Sequence, residues 1–157
     1  MTPREIHEKL RSRFGDAIGD WVEPEVGDER IDVAASALHE VCAALRDDEE
    51  FGFDYLRLIS SVDRGDRFSS VYHLYSYALD HEVVLAASLE RETPSVASVV
   101  DLWPSAEWHE RESFDMMGIV YEGNPNMKRI LLPEDWPGHP LRKGYAAPDE
   151  YHGVPNN

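Results

Sequence analysis

Residues 55–89 read YLRLISSVDRGDRFSSVYHLYSYALDHEVVLAASL. Three runs in this stretch alternate with a period of two, the period of a pleated strand. Tyr55 to Val62 is the first. Ser69 to Tyr77 is the clearest, with Val71, His73, Tyr75 and Tyr77 on one face and Tyr72, Leu74 and Ser76 on the other. Glu82 to Leu89 is the third and sets Val83, Leu85, Ala87 and Leu89 on one side. The connections Asp63–Phe68 and Ala78–His81 are short enough for antiparallel hairpins.

Upstream, Thr2 and Glu5 have the spacing of a capping box and Pro3 suits a first helical position, predicting a helix over Pro3–Phe14 with the stripe Ile6, Leu10, Phe14. Trp21-Val22 and Ile31-Asp32-Val33 predict short strands around the Gly27-Asp28 turn. A second helix is expected over Ala35–Arg46, because Leu38, Val41, Cys42 and Leu45 fall at one-face spacing. Downstream, Val96, Val99, Val100 and Trp103 repeat that spacing after Thr93-Pro94 and predict a third helix, ended by Pro104. A charged helix follows, capped by Ser105 and closed by Gly118. Within it Arg111 lies four residues from both Glu107 and Asp115, which predicts an ion-paired triad on one face. The expected class is α+β: a mainly antiparallel sheet with helices packed on one face.

Beyond Gly118 the character changes. Six of the ten prolines lie there, which forbids a regular helix or central strand. Ile130, Leu131, Leu132, Trp136 and Leu141 nevertheless need burial. The expected organisation is a compact domain over residues 1–118 and an extended, proline-containing, partner-binding tail over residues 119–157.

The chain has 157 residues and a net charge of −16, which argues against nucleic acid or an anionic membrane as a partner. Residues 1–109 carry 23 acidic and 10 basic side chains, whereas residues 119–145 carry three and four. No apolar run reaches the length of a membrane span. Thr2-Pro3-Arg4-Glu5 leads straight into a helix, so no signal peptide is expected. One cysteine, Cys42, excludes an internal disulfide framework and sits on a predicted core face.

Catalytic patterns are missing. His109-Glu110-Arg111-Glu112-Ser113 has a serine where a zinc helix needs its second histidine. Without Cys-x-x-Cys the chain cannot ligate an iron–sulfur cluster with four of its own thiolates. No glycine-rich phosphate loop occurs. Glu110 and Glu112 are two apart on a helix and do not face each other. Trp103, Trp108 and Trp136 could stack on a quinone ring but read as core or interface anchors. Two function classes stay open on the residues: a cofactor-free subunit of an assembly, and a small soluble enzyme with its site at His109, Glu110 and Glu112.

Several blocks together carry a resemblance. They are Phe53-Asp54-Tyr55-Leu56, Val71 to Ser76, Trp103 to Trp108, Glu110-Arg111-Glu112-Ser113-Phe114-Asp115-Met116-Met117-Gly118-Ile119, Lys128-Arg129-Ile130-Leu131, Gly138-His139-Pro140-Leu141-Arg142-Lys143 and Glu150 to Gly153. In this order they resemble the "30-kDa" subunit of proton-pumping NADH:quinone oxidoreductase, respiratory complex I. Residues 51–153 are covered. Two departures stand out: Asn124 replaces the usual His or Lys, and Gly144-Tyr145-Ala146 replaces Asp-aromatic-Pro.

The resemblance implies a scaffold subunit of the peripheral arm, on the cytoplasmic side of a bacterial plasma membrane. Its neighbours would be the hydrogenase-like large subunit and the small iron–sulfur subunit that frame the quinone site. Flavin, iron–sulfur clusters and quinone would lie in partner subunits, with no cofactor and no catalytic residue in this chain. Related ferredoxin-, deazaflavin- or hydrogenase-linked complexes use a similar subunit. The expected interface residues are Glu110, Arg111, Glu112, Asp115, Lys128, Arg129, Trp136, His139, Leu141, Arg142 and Lys143.

Overall fold

The alternating run 55–89 forms three adjacent strands of a five-stranded sheet in the computed structural model, which describes residues 1–156. The strands are β1 (Ile18–Val22), β2 (Arg30–Val33), β3 (Tyr55–Asp63), β4 (Arg67–Ser76) and β5 (His81–Glu90), in the order β1-β2-β5-β4-β3. Neighbours run antiparallel apart from β2 and β5, which are parallel. Leu56, Ile59, Phe68, Tyr72, Leu74, Val83, Leu85, Ala87 and Leu89 point to one face and are buried.

Helices cover that face. α1 (Pro3–Phe14) begins with the expected capping box, in which Thr2 and Glu5 each accept from the other's backbone N–H. Its Ile6 and Leu10 are fully buried. The second helix starts as a 3₁₀ turn (Ala35–Ala37) and continues as α2 (Leu38–Asp47), burying Leu38, Val41, Cys42 and Leu45. α3 spans Ala106–Met117 and ends at Gly118 in the left-handed conformation, as its sequence predicts. No helix is long and apolar enough to cross a membrane among the described residues.

Two sequence expectations are corrected. Thr93–Trp103 is not a helix: Ser95–Ala97 is a strand, β6, followed by turns. Val96, Val99 and Trp103 are buried as their spacing demands. A parallel pairing with β7 (Val120–Glu122) and a carboxylate bond at Val99 satisfy the backbone instead. Nor does the Ser105 side chain cap α3. The N–H groups of Ala106 and Glu107 already donate to the carbonyls of Trp103 and Pro104, so the preceding turn does the capping.

The apolar core continues past Gly118. Ile119 and Tyr121 are 0% and 1% exposed and belong to the same cluster as Leu56 and Phe68. The Tyr121 hydroxyl meets Ser70 Oγ at 2.9 Å beneath the sheet. The last described residues form a small hairpin of β8 (Glu150–Tyr151) and β9 (Val154–Pro155).

Candidate functional site: the clasp between α3 and the tail

Two carboxylates of α3 point inward. Glu110 and Asp115 are both fully buried. Five residues of helix rotate them about 140° apart, so each gathers a different part of the chain. Glu110 accepts from Ser98 Oγ (2.7 Å), Val99 N (2.8 Å) and Asn124 Nδ2 (2.7 Å). Burial raises its pKa, and these three donors lower it less than burial raises it. Asn126 follows the same pattern one turn earlier, donating to Glu107.

Asp115 holds the tail. Its Oδ2 accepts three consecutive backbone N–H groups, Ile130 (3.0 Å), Leu131 (2.7 Å) and Leu132 (3.1 Å). Its Oδ1 accepts from Arg129 Nη1 at 2.9 Å. Burial pushes the Asp115 pKa up, but Arg129 and the three N–H groups outweigh it and leave the pKa below the ordinary value. Arg129 also donates through Nη2 to the carbonyls of Trp136 and Gly138, fixing the following loop.

The tail then returns to the C-terminal end of α3, where helix carbonyls lack intrahelical partners. His139 Nδ1 donates to Asp115 O (3.0 Å), Leu141 N to Met116 O (3.1 Å) and Arg142 Nε to Met117 O (2.7 Å). A guanidinium at this end also complements the helix dipole. Burial first, with Arg142 and Arg129 nearby, keeps the His139 pKa below its ordinary value despite the Asp115 carbonyl. Lys143 N donates to Asp63 Oδ2 at 2.8 Å, anchoring the tail to the end of β3. Arg91 pairs with Asp63 at 2.6 Å, and with Lys143 N and Gly65 N it holds that carboxyl well below the usual range against burial.

Gly118 makes the return possible. Its φ is +73°, and a Cβ there would lie 2.5 Å from Arg142 Nη2 and 2.6 Å from the His139 ring. Gly118→Ala is expected to cost roughly 2 kcal/mol from the left-handed backbone alone. Hydrogen exchange at residues 139–143 should accelerate in this variant while α1 stays protected.

Opposite pH signatures follow from the two carboxylates. The raised folded pKa of Glu110 means that the native state binds more protons, so its contribution falls as pH rises from the unfolded to the folded value. Urea unfolding of Glu110→Gln across that window should lack this decline.

The expected interface residues separate into three sets. Glu110, Asp115 and Arg129 are used inside the chain. His139, Arg142 and Trp136 brace the tail, Trp136 donating Nε1–H to Tyr145 OH at 2.9 Å and packing 5.0 Å from the Tyr151 ring. Glu112, Lys128, Leu141 and Lys143 face outward. Arg111 corrects the predicted triad: it lies 3.8 Å from Glu107 and donates Nε–H to Lys128 O, while Asp115 pairs with Arg129. The reason is local. Arg111 is drawn over the Trp108 ring at 5.0 Å, and Asp115 is enclosed by the tail.

Sequence reasoning misses Asp63, Arg91 and Tyr145 as anchors and Asn126 as a brace. The departures at Asn124 and Tyr145 are the available signal. Asn124 bonds the buried Glu110, and Tyr145 OH accepts from Trp136 and donates to Pro137 O.

The clasp leaves Trp108, Leu131 and Leu141 exposed by 60%, 61% and 58%. It holds these apolar side chains in solvent. Glu110 faces inward and Glu112 outward, so with His109 they do not converge on a common ligand position. Among the described residues no group of three His, Cys, Asp or Glu side chains is arranged to hold a metal.

Comparison with known proteins matches residues 31–151 to the family described as "Respiratory-chain NADH dehydrogenase, 30 Kd subunit". The chain is 40% identical over 151 residues to an NADH-quinone oxidoreductase subunit of Chloroherpeton thalassium, covering 92% of this chain and 61% of that one. It is 44% identical over 141 residues to the same-named protein of a Roseiflexus species, covering 88% and 80%. The chain thus spans less than two thirds of the length of the first of these relatives. Among solved structures, a trypsin-resistant fragment (1–134) of Nqo5 superposes with a TM-score of 0.68 at 26% identity, covering 80% of this chain and 99% of that one. A polypeptide of the archaeal membrane-bound sulfane sulfur reductase superposes with a TM-score of 0.73 at 21% identity, covering 91% and 85%, a likeness of fold alone.

Proposed function

The chain belongs to the family of the respiratory-chain NADH dehydrogenase 30 kDa subunit, and on that premise we propose that it is a cofactor-free scaffold subunit of a complex-I-type NADH:quinone oxidoreductase. In this reading it sits on the peripheral arm at the cytoplasmic side of the membrane. It packs beside the hydrogenase-like large subunit and the small iron–sulfur subunit. Electrons pass from NADH to quinone through flavin and iron–sulfur clusters in those partners, coupled to proton translocation.

The observation that carries the proposal is the clasp. A buried carboxylate, an arginine and three helix-end carbonyls fix the tail against α3, while Trp108, Leu131 and Leu141 are held out in water. Ordering such side chains in advance lowers the entropy lost when a partner covers them. Rigid aromatic and leucine side chains then supply apolar area at about 25 cal/mol per Å².

Purification of the native assembly through a tag on this chain tests the reading. The expected result is co-purification of a hydrogenase-like large subunit and an iron–sulfur subunit, with NADH:quinone activity in the assembly. The isolated chain should show no visible chromophore. Recovery of the chain alone from membranes and cytosol, or a stoichiometric chromophore on the isolated chain, would contradict it.

A further inference from the structure

Among the described residues, the helices pack on one face of the sheet. On the other face Tyr55 of β3 lies opposite Tyr75 of β4, and Glu82 of β5 lies opposite Tyr75. Tyr77, one residue beyond β4, completes a cluster, its ring centroid 5.4 Å from Tyr55 and 5.0 Å from Tyr75. Leu79 follows in the β4–β5 turn. Tyr55, Tyr77 and Leu79 are 42%, 67% and 45% exposed. Scattered apolar side chains on a surface need no explanation, but adjoining aromatic and leucine side chains mark an interaction site.

The cluster is held stiffly. Tyr75 OH donates to Asp80 Oδ1 at 2.6 Å, and Tyr77 N donates to Asp54 Oδ1 at 3.1 Å. Asp80 itself adopts φ +49°, a left-handed conformation that costs a non-glycine residue energy. The clasp uses none of these residues.

Its charge is one-sided. Among the described residues, Asp54, Asp80 and Glu82 place carboxylates at the cluster and Arg57 places a guanidinium there. Arg57 shows what the rings accept: its Cζ lies 4.3 Å from the centroid of Tyr75 while its guanidinium pairs with Glu82. The outward faces of Tyr55 and Tyr77 offer the same cation–π contact.

We propose that this tyrosine cluster is a second docking surface, which takes a basic polypeptide segment of another subunit and seats its arginine or lysine side chains on Tyr55 and Tyr77. The inference rests on the reading that the chain works inside an assembly. It adds a second contact, on the sheet face away from the helices, and fixes the chemistry of what binds there.

Hydroxyl-radical footprinting of the free chain and of the purified assembly tests it. Tyr55 and Tyr77 should label readily in the free chain and several-fold less in the assembly, with Val26, 90% exposed, as an unprotected reference. Equal labelling of both tyrosines in the two states would overturn the inference while leaving the assembly itself established. Failure to recover any assembly would overturn the functional reading first. Protection of Tyr77 in the concentrated free chain, with dimers in sedimentation, would identify a second copy as the occupant and also overturn it. Glu82→Lys tests the charge. The variant should leave the assembly at several-fold lower salt than the wild type. Retention at the wild-type salt concentration would rule out a basic partner segment.

Discussion

Asp115→Ala should release the tail and lower the thermal midpoint by roughly 6–12 °C, the equivalent of about 3 kcal/mol at this chain length. The magnitude follows from what the carboxylate holds. It is fully buried and accepts Arg129 and three backbone N–H groups. Removing it leaves a guanidinium and three donors without their acceptor, and breaking a buried pair from one side costs far more than an exposed pair is worth. The tail can recover hydration only by leaving α3, so hydrogen exchange over residues 129–143 should rise together with the loss of stability. Arg129→Ala should act in the same direction, and the double variant should cost less than the two singly changed chains combined. The sign with pH is set by the depressed folded pKa. The stabilisation is complete above the unfolded carboxylate value and disappears as pH falls through the lower folded one. The Asp115→Ala chain should lack that acid-side loss.

Ending the chain after Gly118 should abolish cooperative folding, whereas ending it after Met127 should not. Ile119 and Tyr121 lie in the central cluster, and β7 completes the pairing with β6. Removing a buried aromatic and a buried isoleucine costs on the order of 5–10 kcal/mol. A whole domain is stable by only about 5–15 kcal/mol. The longer truncation keeps Tyr121 and the bonds from Asn124 to Glu110 and Asn126 to Glu107. Calorimetry of both chains measures the difference. A sharp transition in the shorter one would show that the sheet and three helices close a core without β7.

These two results also mark where the sequence is informative. Strands β3, β4 and β5 are legible because their apolar alternation matches the pleat: burial alternates along Ser70–Ser76 of β4, while a bulge between Leu56 and Leu58 breaks the alternation in β3 and Val83–Ala87 of β5 is buried on both faces. The start of α1 is legible because its cap is local, four residues written in order. Thr93–Trp103 is not. Its apolar spacing fits a helix face, but its backbone is committed elsewhere, to β7 and to the Glu110 carboxylate, both distant in sequence. Nothing within the window records either partner. The tail fails for the same reason. Its prolines disfavour a helix, and among the described residues its regular elements are the short strands β7, β8 and β9. Its hydrogen-bond partners are Asp115 and the end of α3, which only the tertiary structure brings near. Asp115 and Arg129 are both recognisable as candidate residues from their blocks. Their pairing with each other is hidden by a simpler one-face pairing of Asp115 with Arg111.

In the proposed reading the clasp connects fold to function. Glu110 and Asp115 turn an irregular segment into a fixed surface, and that surface presents Trp108, Leu131 and Leu141. The claim at the centre is that this face is where the chain docks in its assembly. The most direct test is the double variant Leu131→Asp/Leu141→Asp, assayed by co-purification of the assembled complex. Both side chains are more than half exposed, so the isolated variant should unfold at the wild-type midpoint. The expected result is a folded chain that no longer co-purifies with the large subunit. Full recovery of the complex with both aspartates in place would contradict the account.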